Sequence, residues 1–214
     1  FDRHGGLRGW WRLLRQLRRG RFDLVLDLQG LMRSAVMSFA TGAPLRVGLE
    51  TAREGASLAC HVTLPETGRL MAAHARYWRV AEARGVGDQP RKLELAISRT
   101  DIDEATRLLQ GLPGPIIGLH AGAKWATKRW PADKFAAVAS RAMRERGASI
   151  VLLGSGDEAA LAASIAEQLD GGHVRNLAGG TSLKQLAAVL QSVDLVLSND
   201  SGPMHLAAEV GTPV

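Results

Sequence analysis

The chain has 214 residues, of which 46% are hydrophobic and 22% charged, and this ordinary globular composition excludes disorder as its main state. Its single cysteine, Cys60, cannot form an internal disulfide, so nothing argues for an oxidising compartment. Arg, Asp or Gly interrupts every apolar run before it is long enough to span a bilayer. The formal net charge is +6, and residues 1–21, with seven Arg and one Asp, carry the same net charge as the whole chain.

The segment that opens the chain predicts an amphipathic basic helix. Apolar residues recur there at helical spacing, namely Leu7, Trp10, Trp11, Leu14 and Leu17. Arginines fill the other side, namely Arg8, Arg12, Arg15, Arg18 and Arg19. Such a face suits an anionic membrane surface or a phosphorylated lipid acceptor. The alternative is a helix that packs its apolar side on the rest of the first domain while its arginines are merely solvated, and the two are compatible.

Beyond this helix the hydrophobic pattern alternates between short strands and helices. Strands are predicted at residues 22–28, 45–49, 93–97, 116–120, 149–153, 174–177 and 194–198. Helices are predicted at residues 31–40, 72–84, 102–110, 132–146, 157–169, 182–191 and 203–210. Such alternation predicts an α/β fold with parallel sheets and right-handed crossovers. Residues 100–115 are the predicted linker between two domains, 1–99 and 116–214.

The turn between the last predicted strand and the last predicted helix carries Asp200, Ser201 and Gly202. Backbone N–H groups and the positive end of a helix dipole face the crevice above a parallel sheet at such a turn, where phosphate groups bind. His205 falls in the first helical turn, within reach of the same ligand. The alternative is that Asp200 or Ser201 merely caps the helix.

Two earlier strand-to-helix turns also carry charged residues. Lys124, Lys128 and Arg129 lie in the loop after strand 116–120, ahead of a Trp-Pro pair that begins a helix. This basic loop indicates an anion site, unless it is simply solvated. Glu158 follows strand 149–153, where a carboxylate can accept the hydroxyls of a ribose or can cap the helix.

Two segments of the first half place polar residues beside predicted strand ends. Gln29 follows strand 22–28, Arg33 lies in the helix after it, and Arg53 follows strand 45–49. Taken alone, Gln29 with its neighbouring glycine is compatible with a tight turn only, and Arg53 with Glu54 is compatible with a surface pair only.

Together these motifs resemble the heptosyltransferases, inverting glycosyltransferases of bacterial lipopolysaccharide synthesis. The family signature Asp-Ser/Thr-Gly-x-x-His stands here at residues 200–205, and a family Lys ahead of a Trp-Pro pair stands as Lys128. Residues 27–35 and 51–54 are similar to segments of the members that add the first heptose, with Arg33 where Lys is usual. Gly122 and Ala123 stand where relatives often have hydroxyl residues, which leaves only backbone contacts at those positions.

The resemblance implies an α/β fold of GT-B type, with two Rossmann-like domains whose parallel sheets face an interdomain cleft, both incomplete here. It implies inverting, metal-independent transfer of heptose from ADP-L-glycero-D-manno-heptose to the Kdo of Kdo-lipid A, without a cofactor. It also implies a cytoplasmic protein bound peripherally to the inner face of the inner membrane. From this resemblance we expect the chain to be cut at both ends, with the catalytic base upstream of Phe1.

The resemblance assigns site residues to each half of the chain. The expected donor-binding residues are Gly122, Ala123, Lys128, Glu158, Asp200, Ser201, Gly202 and His205. The expected acceptor-binding residues are Gln29, Arg33 and Arg53. Lys128 is also expected to offset the charge that develops on the leaving diphosphate. No metal site is expected, because the six histidines show no paired spacing and no Cys partner.

Three other functions are compatible with parts of the sequence. A related glycosyltransferase with another nucleotide-sugar donor or another acceptor would keep the signature at residues 200–205. A nucleotide-sugar epimerase of α/β fold would need a Gly-x-Gly-x-x-Gly fingerprint, which the sequence lacks. A nucleic-acid-binding protein would explain the positive charge, but that charge is concentrated at one end and no recognition motif accompanies it. Nucleic acid is therefore not an expected partner.

Overall fold

A computed structural model of the chain describes residues 6–65, 68, 71, 73–86, 95–171 and 173–214. The chain divides into two compact units, Phe1–Arg91 and Lys92–Val214. Each unit has a parallel sheet with helices in the connections. The α/β prediction with parallel sheets is confirmed. No helix of the described residues combines the length and the apolar character needed to cross a membrane.

In the described part of the first unit, three parallel strands form a sheet in the order β1-β2-β3. Its elements are α1 (Gly6–Arg19), β1 (Leu24–Asp27), α2 (Met32–Thr41), β2 (Leu45–Leu49), a 3₁₀ turn (Ala56–Ala59), β3 (Val62–Leu64) and α3 (Ala73–Ala83). The central strand β2 is the best covered, with Val47 and Leu49 buried. Helix α1 packs against α2.

The second unit contains four parallel strands in the order β6-β5-β4-β7. Its helices are α4 (Arg99–Leu109), α5 (Ala132–Arg146), α6 (Ala159–Ala166), α7 (Leu183–Gln191) and α8 (Gly202–Glu209). Its strands are β4 (Ile116–His120), β5 (Ser149–Leu152), β6 (Val174–Asn176) and β7 (Leu195–Ser198). Because the chain moves outward from β4 to β6 and then crosses to β7, the strand order reverses between β4 and β7. In such sheets the ligand crevice lies above the carboxyl ends of the two strands that flank this reversal.

The second sheet is covered on both faces because its strands are apolar on both sides. Along β5, Ile150 and Leu152 belong to a core cluster with α5 and α6, while Val151 belongs to a second cluster with α4, α7 and α8. Successive side chains of a strand point to opposite faces, which accounts for this division. The rigid sheet that results holds the strand ends of β4 and β7 in fixed positions.

The predicted linker at residues 100–115 differs from the structure. Most of it forms helix α4, and the division between the units lies at residues 91 and 92 instead. Ser98 caps this helix by accepting a hydrogen bond from Asp101 N at 3.2 Å. Ala105 and Leu109 are buried in the core of the second unit, so the apolar face of α4 ties this stretch to that unit.

Most predicted elements agree with the structure within a few residues. The strands predicted at 45–49 and 116–120 and the helix predicted at 132–146 have the observed bounds. The strand predicted at 93–97 lies partly outside the described residues, and its described part forms no strand. Strand β3 was not predicted because only three residues pair there, too few for a periodic signal.

Candidate functional site

The candidate site of the second unit lies at the carboxyl ends of β4 and β7. His120 ends β4 and is paired in register with Ser198, the last residue of β7. Beyond β7 the buried Asn199 donates from its amide to Ala121 O at 2.7 Å and accepts from Trp130 N at 3.0 Å. Asn199 therefore fixes the loop at residues 121–131 over the end of the sheet. Sequence reasoning missed Asn199, whose only local signal is a polar residue directly after a buried strand.

Ser201 occupies the position before α8 but does not cap that helix. Its backbone is extended, and its side chain makes no capping hydrogen bond. Its Oγ lies instead 3.1 Å from His120 Nδ1 and 3.4 Å from Ser198 Oγ. The Ser201 side chain therefore accepts no hydrogen bond from the first N–H groups of α8. A helix start of this kind binds anions through its backbone N–H groups and its dipole.

An ion-pair group stands beside this helix start. Lys128 Nζ lies 2.5 Å from Asp200 Oδ2, and His205 Nε2 lies 3.6 Å from Asp200 Oδ1. The hydrogen bond from Lys128 lowers the pKa of Asp200, and the charges of Lys128 and His205 add to this effect. All three side chains are exposed. Lys128 and Asp200 are 72 residues apart, and the structure brings these predicted residues together.

The other two cations of the basic loop have different roles. Arg129 donates from Nε to Ala123 O at 2.7 Å, which ties it to the backbone of its own loop. The Nζ atom of Lys124 lies 5.5 Å from the centre of the Trp125 ring. Lys124 also lines the pocket described below. Lys128 is thus the cation of this loop that the structure places against Asp200.

Glu158 lies at the carboxyl end of β5, in a 3₁₀ turn that precedes α6. Its Oε2 accepts hydrogen bonds from Ser155 N at 2.8 Å and Ser155 Oγ at 3.1 Å, and lies 3.3 Å from His120 Nε2. Burial raises the pKa of Glu158, but the bonds from Ser155 and the charge of His120 outweigh it, so this pKa is lower than usual. The capping bond to Ser155 is therefore real, and the same carboxylate also contacts His120.

Gly122 makes room for the Glu158 carboxylate. A Cβ atom at residue 122 would lie 1.7 Å from Glu158 Oε1, which is incompatible with the observed position of that side chain. The glycine that stands here in place of a family hydroxyl residue is thus matched to the position of Glu158. Any larger residue would displace the carboxylate from His120.

A pocket of about 370 Å³ opens above these groups. Its polar side is formed by His120, Glu158 and Ser201, and its apolar side includes Leu183 and Leu186. Of the predicted donor-binding residues, Ala123, Glu158, Ser201 and Gly202 line the pocket, while Gly122 lies against Glu158. Lys128, Asp200 and His205 form the neighbouring ion-pair group. A pocket with one apolar wall and a few convergent polar groups is typical of small-molecule sites.

A second pocket, of about 550 Å³, lies in the first unit at the carboxyl ends of β1 and β2. Gln29 and Arg53 line it together with Arg76 and Tyr77. Arg33, the third predicted acceptor residue, is exposed on α2 and does not line this pocket.

Hydrogen bonds from backbone N–H groups to two carboxylates and one carbonyl build this second pocket. The buried Asp27 accepts hydrogen bonds from Gln29 N at 3.1 Å and Gly30 N at 2.9 Å. Gly30 has a φ of 63°, and its carbonyl accepts from Arg53 N at 2.8 Å. Glu54 accepts from Met32 N at 3.0 Å at the start of α2. The two predicted segments are therefore joined, and Glu54 stabilises a helix start.

Helix α1 differs from the prediction in one respect. Trp10, Leu14 and Leu17 are half-buried, as expected, but Leu7 and Trp11 are 80% and 62% exposed. Residues 8, 11, 12, 15 and 19 share one face because the helix repeats every 3.6 residues. Trp11 therefore lies among arginines, in an open hollow whose lining is Arg8, Trp11, Arg12, Arg15, Gln16 and Arg19.

Arg18 is separate from that exposed hollow. Its Nη1 atom lies 1.2 Å from where a Cβ of Gly42 would stand, so its guanidinium covers the glycine that ends α2. A cation at a helix carboxyl end interacts favourably with the helix dipole. Arg18 thus has a structural position that the other arginines of α1 lack.

Within the described ranges, His, Cys, Asp and Glu form no group of three or more that is suited to hold a metal ion.

Comparison with known proteins connects these sites to a family. Residues 10–214 match the model described as glycosyltransferase family 9 (heptosyltransferase). The lipopolysaccharide core heptosyltransferase OpsX of Haemophilus influenzae is 31% identical, over 100% of this chain and 62% of that protein. Lipopolysaccharide heptosyltransferase 2 of Escherichia coli is 30% identical, over 92% of this chain and 60% of that protein. The chain thus spans less than two thirds of the length of these relatives.

Solved structures agree with this match. The glycosyl transferase family 9 structure from Veillonella parvula superposes with a TM-score of 0.80 at 26% identity, covering 100% of this chain and 62% of that one. The structure of E. coli heptosyltransferase WaaC with ADP superposes with a TM-score of 0.71 at 25% identity, covering 98% and 64%.

Proposed function

The chain belongs to glycosyltransferase family 9, the heptosyltransferases, and we propose that the protein transfers a heptose from a donor substrate to an acceptor substrate of lipopolysaccharide synthesis. The donor is ADP-L-glycero-D-manno-heptose, and the acceptor is the Kdo of the lipopolysaccharide inner core. The transfer is metal-independent and inverts the anomeric configuration. The observation that carries the proposal is the pocket at the β4 and β7 ends, with the start of α8 and Lys128 beside it.

The donor site is matched to a nucleoside diphosphate. Ser201 and the first N–H groups of α8 suit the phosphates, because they combine hydrogen-bond donors with the positive end of a helix dipole. Glu158 at the end of β5 suits the ribose hydroxyls, which donate hydrogen bonds to a carboxylate. The apolar wall with Leu183 and Leu186 suits the adenine ring. The solved structure of E. coli heptosyltransferase WaaC with ADP supports this choice of ligand.

The chemistry follows from displacement at the anomeric carbon. The acceptor oxygen attacks opposite the leaving ADP and loses its proton to a base, while the bond between the anomeric carbon and the diphosphate oxygen breaks. Negative charge then builds on the diphosphate, and Lys128 with the N–H groups of α8 offsets it. Asp200 holds Lys128 at the mouth of this site by the 2.5 Å contact.

The acceptor site is assigned to the pocket of the first unit. The guanidinium of Arg53 suits the carboxylate of Kdo, since two parallel N–H groups match two carboxylate oxygens. Gln29 lines the same pocket and is suited to sugar hydroxyls. Arg33 lies outside it, on the exposed side of α2. Arg33 therefore suits a part of the acceptor beyond the sugar that reacts.

The exposed face of α1 supports a peripheral location on the cytoplasmic side of the inner membrane. Arg8, Arg12, Arg15 and Arg19 surround the exposed Trp11, and this combination suits an anionic lipid surface. The acceptor is itself a lipid with negative charges. Binding to that surface would therefore keep the enzyme near its substrate.

The test is direct transfer by the purified full-length enzyme. ADP-heptose and Kdo-lipid A are incubated with it, product mass is followed by mass spectrometry, and the new anomeric centre is assigned by NMR. We expect one heptose to be added with inverted configuration. Higher turnover with another ADP-sugar or with an acceptor that already carries heptose would favour a related family activity. Salt-dependent DNA binding without any sugar transfer would contradict the proposal and favour the nucleic-acid alternative.

A further inference from the structure

The side chain of His120 is buried at the end of β4 with a polar partner at each ring nitrogen. Its Nε2 lies 3.3 Å from Glu158 Oε2, and its Nδ1 lies 3.1 Å from Ser201 Oγ. A neutral imidazole has one N–H and one bare nitrogen, whereas an imidazolium has two N–H groups. The protonation state of His120 therefore decides which way the Ser201 hydroxyl is oriented.

With a neutral ring, Ser201 is an acceptor toward the pocket. An ionised carboxylate accepts only, so Glu158 requires the single proton of His120 on Nε2. The bare Nδ1 then accepts the hydroxyl proton of Ser201. The Ser201 oxygen presents only lone pairs to the pocket. Lone pairs repel the oxygens of a phosphate, so this state is unsuited to a diphosphate.

With a protonated ring, Ser201 becomes a donor. Nδ1–H then donates to Ser201 Oγ, and the hydroxyl proton is released for another partner. Ser198 Oγ, at 3.4 Å, already donates its own proton to Asn199 O at 2.8 Å, so it can serve Ser201 only as an acceptor. An anionic phosphate oxygen is a stronger acceptor than this hydroxyl. A bound diphosphate would therefore take the proton of Ser201.

We propose that binding of the nucleotide-sugar diphosphate is coupled to the uptake of one proton by His120. The proton passes from solvent to Nδ1, turns Ser201 into a donor toward the diphosphate, and returns to solvent when the nucleotide leaves. Glu158 stabilises the imidazolium from the other side. The inference rests on the proposed function, because it takes the donor diphosphate as the ligand. His120 is thus a positioning residue that acts through Ser201.

Other charged groups near His120 define the necessary controls. Lys124 lines the same pocket, and Lys128 with Asp200 stands beside Ser201. Strands β5 and β7, which flank β4, contain no titratable side chain. His205, next to Asp200, is the other histidine of this region, and histidine is the side chain that ordinarily titrates near neutral pH. Its contribution must therefore be separated from that of His120.

The experiment is calorimetry of ADP-heptose binding in two buffers of different ionisation enthalpy, from about pH 5.5 to 8.5, around the ordinary range of histidine. Both phosphates of ADP-heptose are esterified, so the ligand lacks the phosphate proton that titrates near neutrality. We expect the measured binding enthalpy to differ between the two buffers by an amount that corresponds to uptake of up to about one proton. Affinity should fall by up to about tenfold per pH unit as histidine loses its proton.

Variants identify the residue that takes up the proton on binding of ADP-heptose. His120→Asn cannot titrate and should remove the buffer dependence, and Ser201→Ala should reduce it while Ser201→Thr retains it. His205→Asn and His173→Asn, the latter at an exposed position, should leave it intact. Binding without proton uptake, or uptake that persists in His120→Asn and disappears in His205→Asn, would overturn this inference alone. No binding of ADP-heptose at any pH would overturn the proposed function and this inference with it.

Discussion

The two pockets stand at equivalent places, the carboxyl ends of parallel strands, but they are built differently. In the second unit, side chains from distant segments bind one another, as His120 does with Glu158 and Ser201. In the first unit, the side-chain carboxylate of Asp27 accepts hydrogen bonds from the backbone N–H groups of Gln29 and Gly30, and the carbonyl of Gly30 accepts from Arg53 N. In the first arrangement the site depends on bonds between side chains, whereas in the second a buried carboxylate holds the backbone of its loop in one shape.

This difference agrees with the two roles proposed above. The bonds to Asp27 and Gly30 use the backbone N–H groups of Gln29 and Arg53, so the side chains of these two residues remain available to the proposed acceptor. A network of side chains instead adjusts hydrogen-bond direction and charge, which suits a ligand whose charge changes during the reaction. The variants below test whether substitutions in each pocket change stability, affinity or turnover as its hydrogen bonds predict.

The largest effect is expected from removal of the Lys128 ammonium. Lys128→Ala should reduce turnover by about 10²- to 10³-fold, because a group that offsets charge on the leaving diphosphate acts mainly in the transition state. Steady-state kinetics with ADP-heptose should show a much smaller change in the KM of the acceptor. Lys124→Ala is the control from the same loop. Unchanged turnover in Lys128→Ala would remove this residue from the mechanism.

A pair of glycine variants compares the two constructions directly. Gly30→Ala puts a Cβ 2.8 Å from the backbone of Ala52 at a residue with φ of 63°, so it should destabilise the protein by at least about 1–2 kcal/mol. Gly122→Ala meets only the end of the Glu158 side chain, which can move away. Thermal unfolding and ADP-heptose calorimetry should therefore show lost stability for the first variant and lost affinity for the second. The opposite pattern would contradict the comparison.

Whether the sequence predicts a feature of this molecule depends on how far apart in the sequence the residues that determine it lie. The strand at 116–120 and the helix at 132–146 were predicted with their observed bounds, because periodicity and local stop signals determine them. The turn between β7 and α8 was likewise predicted from adjacent residues. Its partner His120 was missed, because the bond to Ser201 joins residues 81 positions apart.

The position of Trp11 is a different kind of error. Its helical spacing from Leu7 and Leu14 assigned it to the apolar side of α1. The same helical repeat also brings it beside Arg8, Arg12 and Arg15, and it lies exposed among them. The boundary between the units was also displaced, since the proline and glycine residues near 111–115 follow helix α4 within the second unit. The breaker residues ended a helix there and did not separate two units.

A moderate effect is expected in the first-unit pocket. Arg53→Ala should raise the acceptor KM by about tenfold or more, because it removes hydrogen bonds from a guanidinium to an anionic sugar. Donor affinity measured by calorimetry should not change. Arg33→Ala, outside the pocket, is the matched comparison and should have a smaller effect on the reacting sugar. Loss of ADP-heptose binding with normal acceptor kinetics would place Arg53 on the nucleotide side.

A smaller effect should distinguish the arginines of α1. Arg12→Gln should weaken binding to vesicles that contain anionic lipid by about fivefold, since each basic residue near such a surface contributes about 1 kcal/mol. Arg18→Gln is the matched control, because its guanidinium covers Gly42 at the end of α2. Vesicle sedimentation at low and high salt measures both. Equal losses in the two variants would mean that only total charge matters.

The smallest effect concerns the pH dependence of stability at Glu158. Because the pKa of this carboxyl is lower in the folded protein than its ordinary value, the ionised group contributes stability above that ordinary value. The contribution is lost as pH falls through the lowered pKa, since the folded carboxyl is then protonated as well. Glu158→Gln keeps an oxygen acceptor for Ser155 N but cannot ionise, so it should unfold at a lower temperature than the parent near neutral pH. The difference should shrink in acid, by an amount of the order of one hydrogen bond, about 0.5–1.5 kcal/mol. A difference that grew as the pH fell would mean that burial, and not the bonds from Ser155 and His120, dominates at this carboxylate.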